Sequence, residues 1–190
     1  AVTEAARRAG AADARLIEQP LAAAIGSGLP INEPMGNLIV DVGGGTTETA
    51  LISMGGVVAL EAVRVGSFDI DAAIQNFIKT EYGVAIGERT SEEVKLTIGS
   101  ASPYEGELRV EVRGRHIASG LPEVVVVSPT EIRLAIDEPV SAMIDSATSC
   151  LSQAPPELAQ DIIVQGINLV GGGSLLKGFD KRLSEETDVP

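Results

Sequence analysis

The segment IVDVGGGTT spans residues 39–47, where an apolar strand runs into three glycines and two threonines. A second segment of the same design, INLVGGGSLL, spans residues 167–176. Glycines let backbone N–H groups approach a phosphate without a Cβ in the way, and N–H groups crowded at a turn bind anions. A triple glycine is also common in a tight turn, and neither segment matches the G-x-G-x-x-G or G-x-x-x-x-G-K-[ST] fingerprints. The pair therefore predicts a phosphate site, with two plain turns as the alternative.

Asp41 strengthens the phosphate interpretation of the first segment. It stands two residues before the glycines, at the end of an apolar strand, where a carboxylate is costly to place without a partner. Mg²⁺ is a natural partner beside phosphates, held directly or through its waters. The alternative is an Asp that caps the turn through its own backbone. Two glycine segments in one small chain favour the metal and phosphate interpretation.

Secondary structure can be predicted outward from the first segment. The continuous apolar run of residues 37–42 is typical of a strand covered on both faces, and glycines connect it into two hairpins. Residues 83–128 are more polar and broken, which predicts a small inserted lobe with a buried strand at 124–127. Residues 129–152 predict one long amphipathic helix. The remaining predictions are helices at 1–12, 21–28, from Asp69, at 91–99, 154–166 and 174–187, and strands at 14–18, 47–53, 57–64, 108–114, 123–128 and 167–173.

Composition narrows the classes of protein. Apolar residues make up 44% of the 190 residues and aromatic residues 3%, so the core must be built from Val, Ile, Leu and Ala, as in sheets covered by helices. The net charge of −13, without any Lys/Arg cluster, excludes the electrostatic footprint of a nucleic-acid-binding protein. One cysteine, Cys150, predicted to lie in the core, allows no internal disulfide and suits a reducing compartment. No apolar run reaches the ~20 residues that span a membrane, which indicates a cytoplasmic protein.

Five stretches resemble the MreB family of bacterial actins in order and spacing, over almost all of the chain. The actin-like ATPase fold (ribonuclease H-like, α/β) also serves actin, DnaK-type chaperones, FtsA and sugar kinases. The resemblance implies that residues 1–36 are the C-terminal part of the first large subdomain. It implies that 37–82 and 129–190 form the second large subdomain and 83–128 its small inserted lobe. The stretches are LIEQPLAAAIGSGLP (16–30), VDVGGGTTE (40–48), GERTSEEVK (87–95), PPELAQDI (155–162) and LVGGGSLLKG (169–178).

The resemblance also implies roles for single residues, with ATP and Mg²⁺ as the cofactors. Asp41 would hold the Mg²⁺ shell, and Thr46 would help to place the attacking water. Glu92 and Lys95 match a pair that flanks the adenosine. Without the resemblance, a solvated salt bridge between two residues three apart on a helix is the preferred interpretation. The adenosine loop would be Gly171, Gly172 and Gly173, and the phosphate contacts would come from Gly43, Gly44, Gly45, Thr46, Thr47 and Gly66.

Two residues depart from the family pattern. Gln19 stands where the family usually carries the Glu that orients or activates the attacking water. Together with Thr46 and Asp41, it is one of the three residues to which the resemblance assigns catalytic roles. A Gln can position water but cannot accept its proton, which predicts slow hydrolysis. Ser67 stands where the family has a second glycine, so either the loop is shifted or the hydroxyl replaces a water.

The function implied is that of an ATP-binding homologue of actin that polymerises into filaments under the inner membrane and directs cell-wall synthesis and rod shape. Its partners would be copies of itself and the inner-membrane cell-wall elongation proteins, with membrane association through parts outside this segment. The chain starts without Met and inside a helix, so we expect a fragment that hydrolyses no ATP alone. The alternatives are a DnaK-like chaperone ATPase, a sugar-kinase-type ATPase, and a paralogue that binds nucleotide with little hydrolysis.

Overall fold

The computed structural model describes residues 1–190 as two β-sheets with helices packed around them. No helix is long and apolar enough to cross a membrane. The helices are α1 (Val2–Arg8), α2 (Gln19–Gly26), α3 (Ser67–Tyr82), α4 (Glu88–Ile98), α5 (Pro129–Ala135), α6 (Asp137–Ser152), α7 (Pro156–Gln165) and α8 (Phe179–Thr187). The strands are β1 (Asn37–Val42), β2 (Thr47–Ser53), β3 (Gly56–Val63), β4 (Val84–Ala85), β5 (Val110–His116), β6 (Pro122–Val127) and β7 (Ile167–Val170).

The larger sheet has the strand order β3-β2-β1-β7. The first three strands form the two predicted hairpins, and β7 runs parallel to β1 with Val170 opposite Asp41. Residues 38–40 of β1 are fully buried, because α2 covers one face of the sheet and α3 and α6 cover the other. Since β1 and β7 are parallel and adjacent, both glycine segments follow their strands at the same edge of the sheet.

The smaller sheet has the order β4-β5-β6, and its strands lie within residues 83–128. Residues 124–127 do not form the fully buried strand that the sequence predicted. Val125 and Val127 face the core, whereas Val124 and Val126 are 52% and 48% exposed. The reason is that helices cover only one face of this sheet, so alternate side chains point outward. The division of the chain into subdomains stays a prediction.

The predicted strand at residues 14–18 is wrong. These residues are not in a strand, and Leu16 and Ile17 are 72% and 56% exposed. The apolar pattern suited a strand, but a strand forms only where another strand supplies hydrogen-bonding partners. No strand of this chain lies beside the segment.

Two predicted helices differ from the structure by more than a shift of their ends. The long helix at 129–152 is two helices, α5 and α6, with a break at Ile136. Pro139 explains the break, because it has no N–H to donate to the carbonyl group four residues earlier and its ring clashes there. The last helix starts at Phe179 rather than at residue 174, because Gly172–Leu175 form a 3₁₀ turn and Gly178 adopts a left-handed conformation, with φ of 69°.

Candidate functional site

Gln19 and Asp41 meet at the edge of the larger sheet. Gln19 is the first residue of α2, where Pro20 lies in the first turn and is buried. Asp41 is half-buried near the end of β1, on the face that α2 covers. The side-chain amide Nε2 of Gln19 donates a hydrogen bond of 3.0 Å to Oδ2 of Asp41. The structure thus brings together two of the three residues to which the sequence assigned catalysis.

Glu48 joins these two residues, and sequence reasoning missed it. Glu48 lies on β2 directly opposite Asp41 on β1, so the two carboxylates are on the same face of the sheet. Burial raises the pKa of Glu48, and the negative charge of Asp41 raises it further. The available signal was the register of the first hairpin, in which the loop of residues 43–46 pairs Val42 with Thr47 and hence Asp41 with Glu48.

The loop of residues 43–46 presents backbone N–H groups. The N–H of Gly43 donates to the carbonyl oxygen of Thr46 at 2.8 Å and closes the turn. The N–H groups of Gly44, Gly45 and Thr46 donate to no group of the chain. The segment is therefore a tight hairpin turn, as the alternative proposed, and it also offers the three free donors that a phosphate site needs.

The start of α3 holds this loop from behind. The carbonyl oxygen of Gly43 accepts from the N–H of Ser67 at 3.0 Å, and that of Gly44 accepts from the N–H of Phe68 at 2.8 Å. Gly66 lies so close beneath the loop that a Cβ on it would stand 2.5 Å from the carbonyl oxygen of Gly44. The first N–H groups of α3 are used in these contacts. They therefore fix the loop and are not free to bind a ligand.

Besides Gly43, whose N–H closes the turn, two more residues predicted to contact phosphate have their polar groups engaged inside the protein. The N–H of Gly66 donates to Oδ2 of Asp69 at 2.8 Å. Thr47 is fully buried, and its hydroxyl donates to the carbonyl oxygen of Val65 at 2.9 Å. The structure therefore places Gly66 and Thr47 as supports of the loop, whereas Gly44, Gly45 and Thr46 form its open side.

The second glycine segment packs against the end of β1. A Cβ on Gly171 would stand 2.6 Å from Oδ1 of Asp41, and one on Gly173 would stand 2.5 Å from Cγ1 of Val42. Gly172 faces open space. Between this segment, α3 and α4 lies a cavity of about 130 Å³. It is lined by Ser67, Ile70, Lys95, Leu96, Gly99, Gly172, Gly173, Leu175, Leu176 and Lys177.

Lys95 lines this cavity, whereas Glu92 does not. Glu92 lines a different cavity of about 660 Å³, together with Phe68 and Asp71, between α3 and α4. The side chain of Lys95 is only 10% exposed and pairs with Asp71 at 2.9 Å, not with Glu92. The solvated salt bridge considered from sequence is therefore wrong. Burial raises the pKa of Asp71, although its hydrogen bond and ion pair with Lys95 oppose the shift.

The known proteins that are similar in sequence to this chain belong to one family. The family described as "MreB/Mbl protein" matches residues 1–190. The cell shape-determining protein MreB of Escherichia coli K12 is 47% identical over 190 residues, which are all of this chain and 55% of that protein. The cell shape-determining protein Mbl of Bacillus subtilis is 42% identical over the same span, 57% of its length. The chain thus covers little more than half of the relatives it matches.

Solved structures agree with these sequence relatives. MreB5 of Spiroplasma citri bound to AMPPNP matches all of this chain and 57% of its own, with a TM-score of 0.94 and 38% identity. The same protein bound to ADP gives a TM-score of 0.95. The MamK double helical filament matches 98% of this chain and 55% of its own, with a TM-score of 0.78; at 21% identity this likeness concerns the fold alone.

Proposed function

Because this chain belongs to the MreB/Mbl family, we propose that it is the ATP-binding part of a bacterial actin homologue that polymerises into filaments and directs cell-wall synthesis and rod shape. The α/β actin-like ATPase fold predicted from the sequence is confirmed. The relatives are cell shape-determining proteins, which favours this function over that of a chaperone or a sugar kinase.

One arrangement carries the proposal of ATP binding. Two glycine segments meet at the ends of two adjacent parallel strands, and the first segment keeps three N–H donors free beside Asp41. Free N–H groups converging on one point attract an anion such as a phosphate group. The complexes of MreB5 with AMPPNP and ADP support the same ligand class here.

The residues present fit a magnesium ion. No cluster of three or more His, Cys, Asp or Glu side chains is arranged to hold a metal. Mg²⁺, however, is usually held by one or two carboxylates together with waters and the phosphates of the substrate. Asp41 would hold it, and Glu48 lies opposite Asp41 on the neighbouring strand, where burial and then the charge of Asp41 raise its pKa. When bound, the ion would neutralise charge on the phosphates.

Hydrolysis would depend on Gln19 and Thr46. The hydrogen bond to Asp41 fixes the amide of Gln19, which leaves its carbonyl oxygen to accept from an attacking water. An amide does not take up the proton, so this chain would orient water without general-base help, and slow turnover follows. A protein that binds ATP with scarcely any hydrolysis stays the second candidate, and phosphate release decides between the two.

The cellular role follows the family. We propose that the filament is a polymer of the protein itself and works with inner-membrane cell-wall elongation proteins. It would lie in the cytoplasm at the inner face of the membrane, attached through parts outside this chain.

The binding of a fluorescent ATP analogue to the full-length protein tests the site. We expect wild type to bind more tightly with Mg²⁺ than with EDTA, and Asp41→Asn to lose that difference because it lacks the carboxylate that holds the ion. Asp145→Asn, an exposed position on α6, is the matched control and should behave as wild type. Failure of wild type to bind, or an unchanged magnesium effect in Asp41→Asn, would refute the site.

A further inference from the structure

Lys95 has no hydrogen-bonding capacity left for a ligand. Its ammonium Nζ donates to Oγ of Ser67 at 2.7 Å, to the carbonyl oxygen of Ser67 at 3.3 Å and to Oδ2 of Asp71 at 2.9 Å. An ammonium group has three donors, and these three acceptors use all of them. Lys95 therefore lines the cavity beside the second glycine segment without being free to bind a nucleotide directly.

Ser67 is bound from two sides. On one side the ammonium of Lys95, from α4, which lies in the predicted small lobe, contacts its hydroxyl and its carbonyl group. On the other side its backbone N–H donates to the carbonyl oxygen of Gly43 in the phosphate loop at 3.0 Å. One residue thus joins the helix of the small lobe to the loop that carries the free N–H groups.

The hydroxyl of Ser67 is a feature that a glycine could not supply. A glycine at this position would leave Lys95 with the backbone carbonyl of residue 67 and the carboxylate of Asp71 alone. The Ser67 hydroxyl gives the shortest of the three contacts of Lys95. A hydrogen bond from a charged donor is among the stronger ones in proteins, particularly where the donor is buried as here.

We propose that Ser67 is a positioning residue that couples the small lobe to the phosphate loop. A shift of α4 relative to the larger sheet moves Lys95, Lys95 moves Ser67, and Ser67 moves the carbonyl group of Gly43. The loop in turn sets the direction of the N–H groups of Gly44, Gly45 and Thr46. The consequence is that the site distinguishes ATP from ADP, which lacks the γ-phosphate, through Ser67. This inference therefore rests on the proposed ATP site.

The test compares Ser67→Ala, which lacks the hydroxyl, with Ser67→Thr, which keeps it. Both variants leave the ion pair between Lys95 and Asp71 in place. The first measurement is amide hydrogen exchange of Ser67 and Phe68 in the full-length protein without nucleotide. We expect exchange about tenfold faster in Ser67→Ala, the size expected for loss of one hydrogen bond from a charged group, and near wild type in Ser67→Thr.

The second measurement is the ratio of the dissociation constants for ADP and ATP. We expect the preference for ATP to fall by roughly threefold or more in Ser67→Ala and to be restored in Ser67→Thr, an effect that a merely structural role would not produce. Exchange rates or a nucleotide ratio in Ser67→Ala equal to wild type would overturn the coupling, as would a Thr variant as impaired as the Ala variant. If wild type binds no nucleotide, the proposed function fails, and the exchange rates alone then decide whether Ser67 positions the loop.

Discussion

The side chain of Gln19 donates a 3.0 Å hydrogen bond to the carboxylate of Asp41, 22 positions further along the chain. The bond joins the start of α2 to the end of β1, and Glu48 lies opposite Asp41 on the neighbouring strand. An amide thus contacts one acidic group, which has a second acidic group beside it, at the place where the glycine loop begins. This arrangement holds a neutral residue in position for the water-orienting role that we propose, and it predicts the effect of restoring a carboxylate there.

Gln19→Glu in the full-length protein should release phosphate from ATP faster than wild type. A carboxylate at this position can accept the proton of the attacking water, which an amide cannot, and general-base catalysis typically contributes ~10²-fold or more. Phosphate release at saturating ATP and Mg²⁺ measures the effect. A variant that hydrolyses ATP no faster would count against the explanation of slow turnover by Gln19. Gln19→Ala, which can neither orient nor deprotonate water, serves as the lower reference.

Glu48→Gln should make the nucleotide-free protein more stable at neutral pH. The folded protein raises the pKa of Glu48 above its usual value of 4.5, first by burial and then by the charge of Asp41, so ionisation at this position opposes folding. The loss of stability caused by ionised Glu48 is largest above the pKa of this group in the folded protein. It shrinks as the pH falls through that pKa and is absent below the usual pKa of a glutamate.

Thermal unfolding in EDTA between pH 4 and pH 8 measures this difference. The melting temperature of Glu48→Gln should exceed that of wild type at pH 7, and the gap should close toward pH 4. Glu105→Gln, in an exposed loop, is the control and should show no such gap. A gap that widens as the pH falls would contradict the assigned cause.

Gly66→Ala should destabilise the protein, whereas Gly45→Ala should not do so to a comparable extent. A Cβ at Gly66 would stand 2.5 Å from the carbonyl oxygen of Gly44, so the backbone of the loop must shift, at about 1–3 kcal/mol. A Cβ at Gly45 meets nothing within 4 Å. Urea unfolding compares the free energies of unfolding of the two variants. Equal losses in both would show that the close approach beneath the loop does not matter.

Cys150 should resist thiol reagents in the folded protein. Its side chain is fully buried against β2, and burial raises the pKa of the thiol to about 11. At pH 8 the thiolate fraction is then roughly a hundredfold lower than that of an exposed thiol, and a reagent cannot reach it without local opening. Maleimide labelling followed by peptide mass spectrometry measures the rate. A Ser27→Cys variant supplies an exposed thiol for comparison, and similar rates at both sites would disprove the burial.

The sequence predicted the parts of the fold that local signals determine. The continuous apolar run of residues 37–42 and the glycines on either side of β2 are short-range patterns, so β1, β2 and β3 lie where they were expected. Both glycine segments were found for the same reason. The prediction of a strand at residues 14–18 was wrong because a strand needs a hydrogen-bonding partner, which the local pattern does not reveal. The predicted burial of Val124 and Val126 was wrong because the pattern does not show which face of a sheet the helices cover.

The contacts within the site depended on packing between distant elements. Lys95 has a carboxylate three residues before it on its own helix, which suggested Glu92 as its partner. The packing of α4 on α3 instead brings Asp71 to it, and a charged residue on α3 carries no sequence sign that it will be buried. The break at Ile136 was detectable, because Pro139 is incompatible with a helix that continues through the preceding turn.

The most direct test of the proposed function is sedimentation of the full-length protein by ultracentrifugation with ATP, with ADP and without nucleotide. If the glycine loops and Asp41 drive an actin-like polymer, wild type should pellet in a nucleotide-dependent manner, and Asp41→Ala should stay in the supernatant. A wild-type protein that binds ATP and yet stays in the supernatant under all three conditions would contradict the filament function and favour a chaperone-like or kinase-like ATPase.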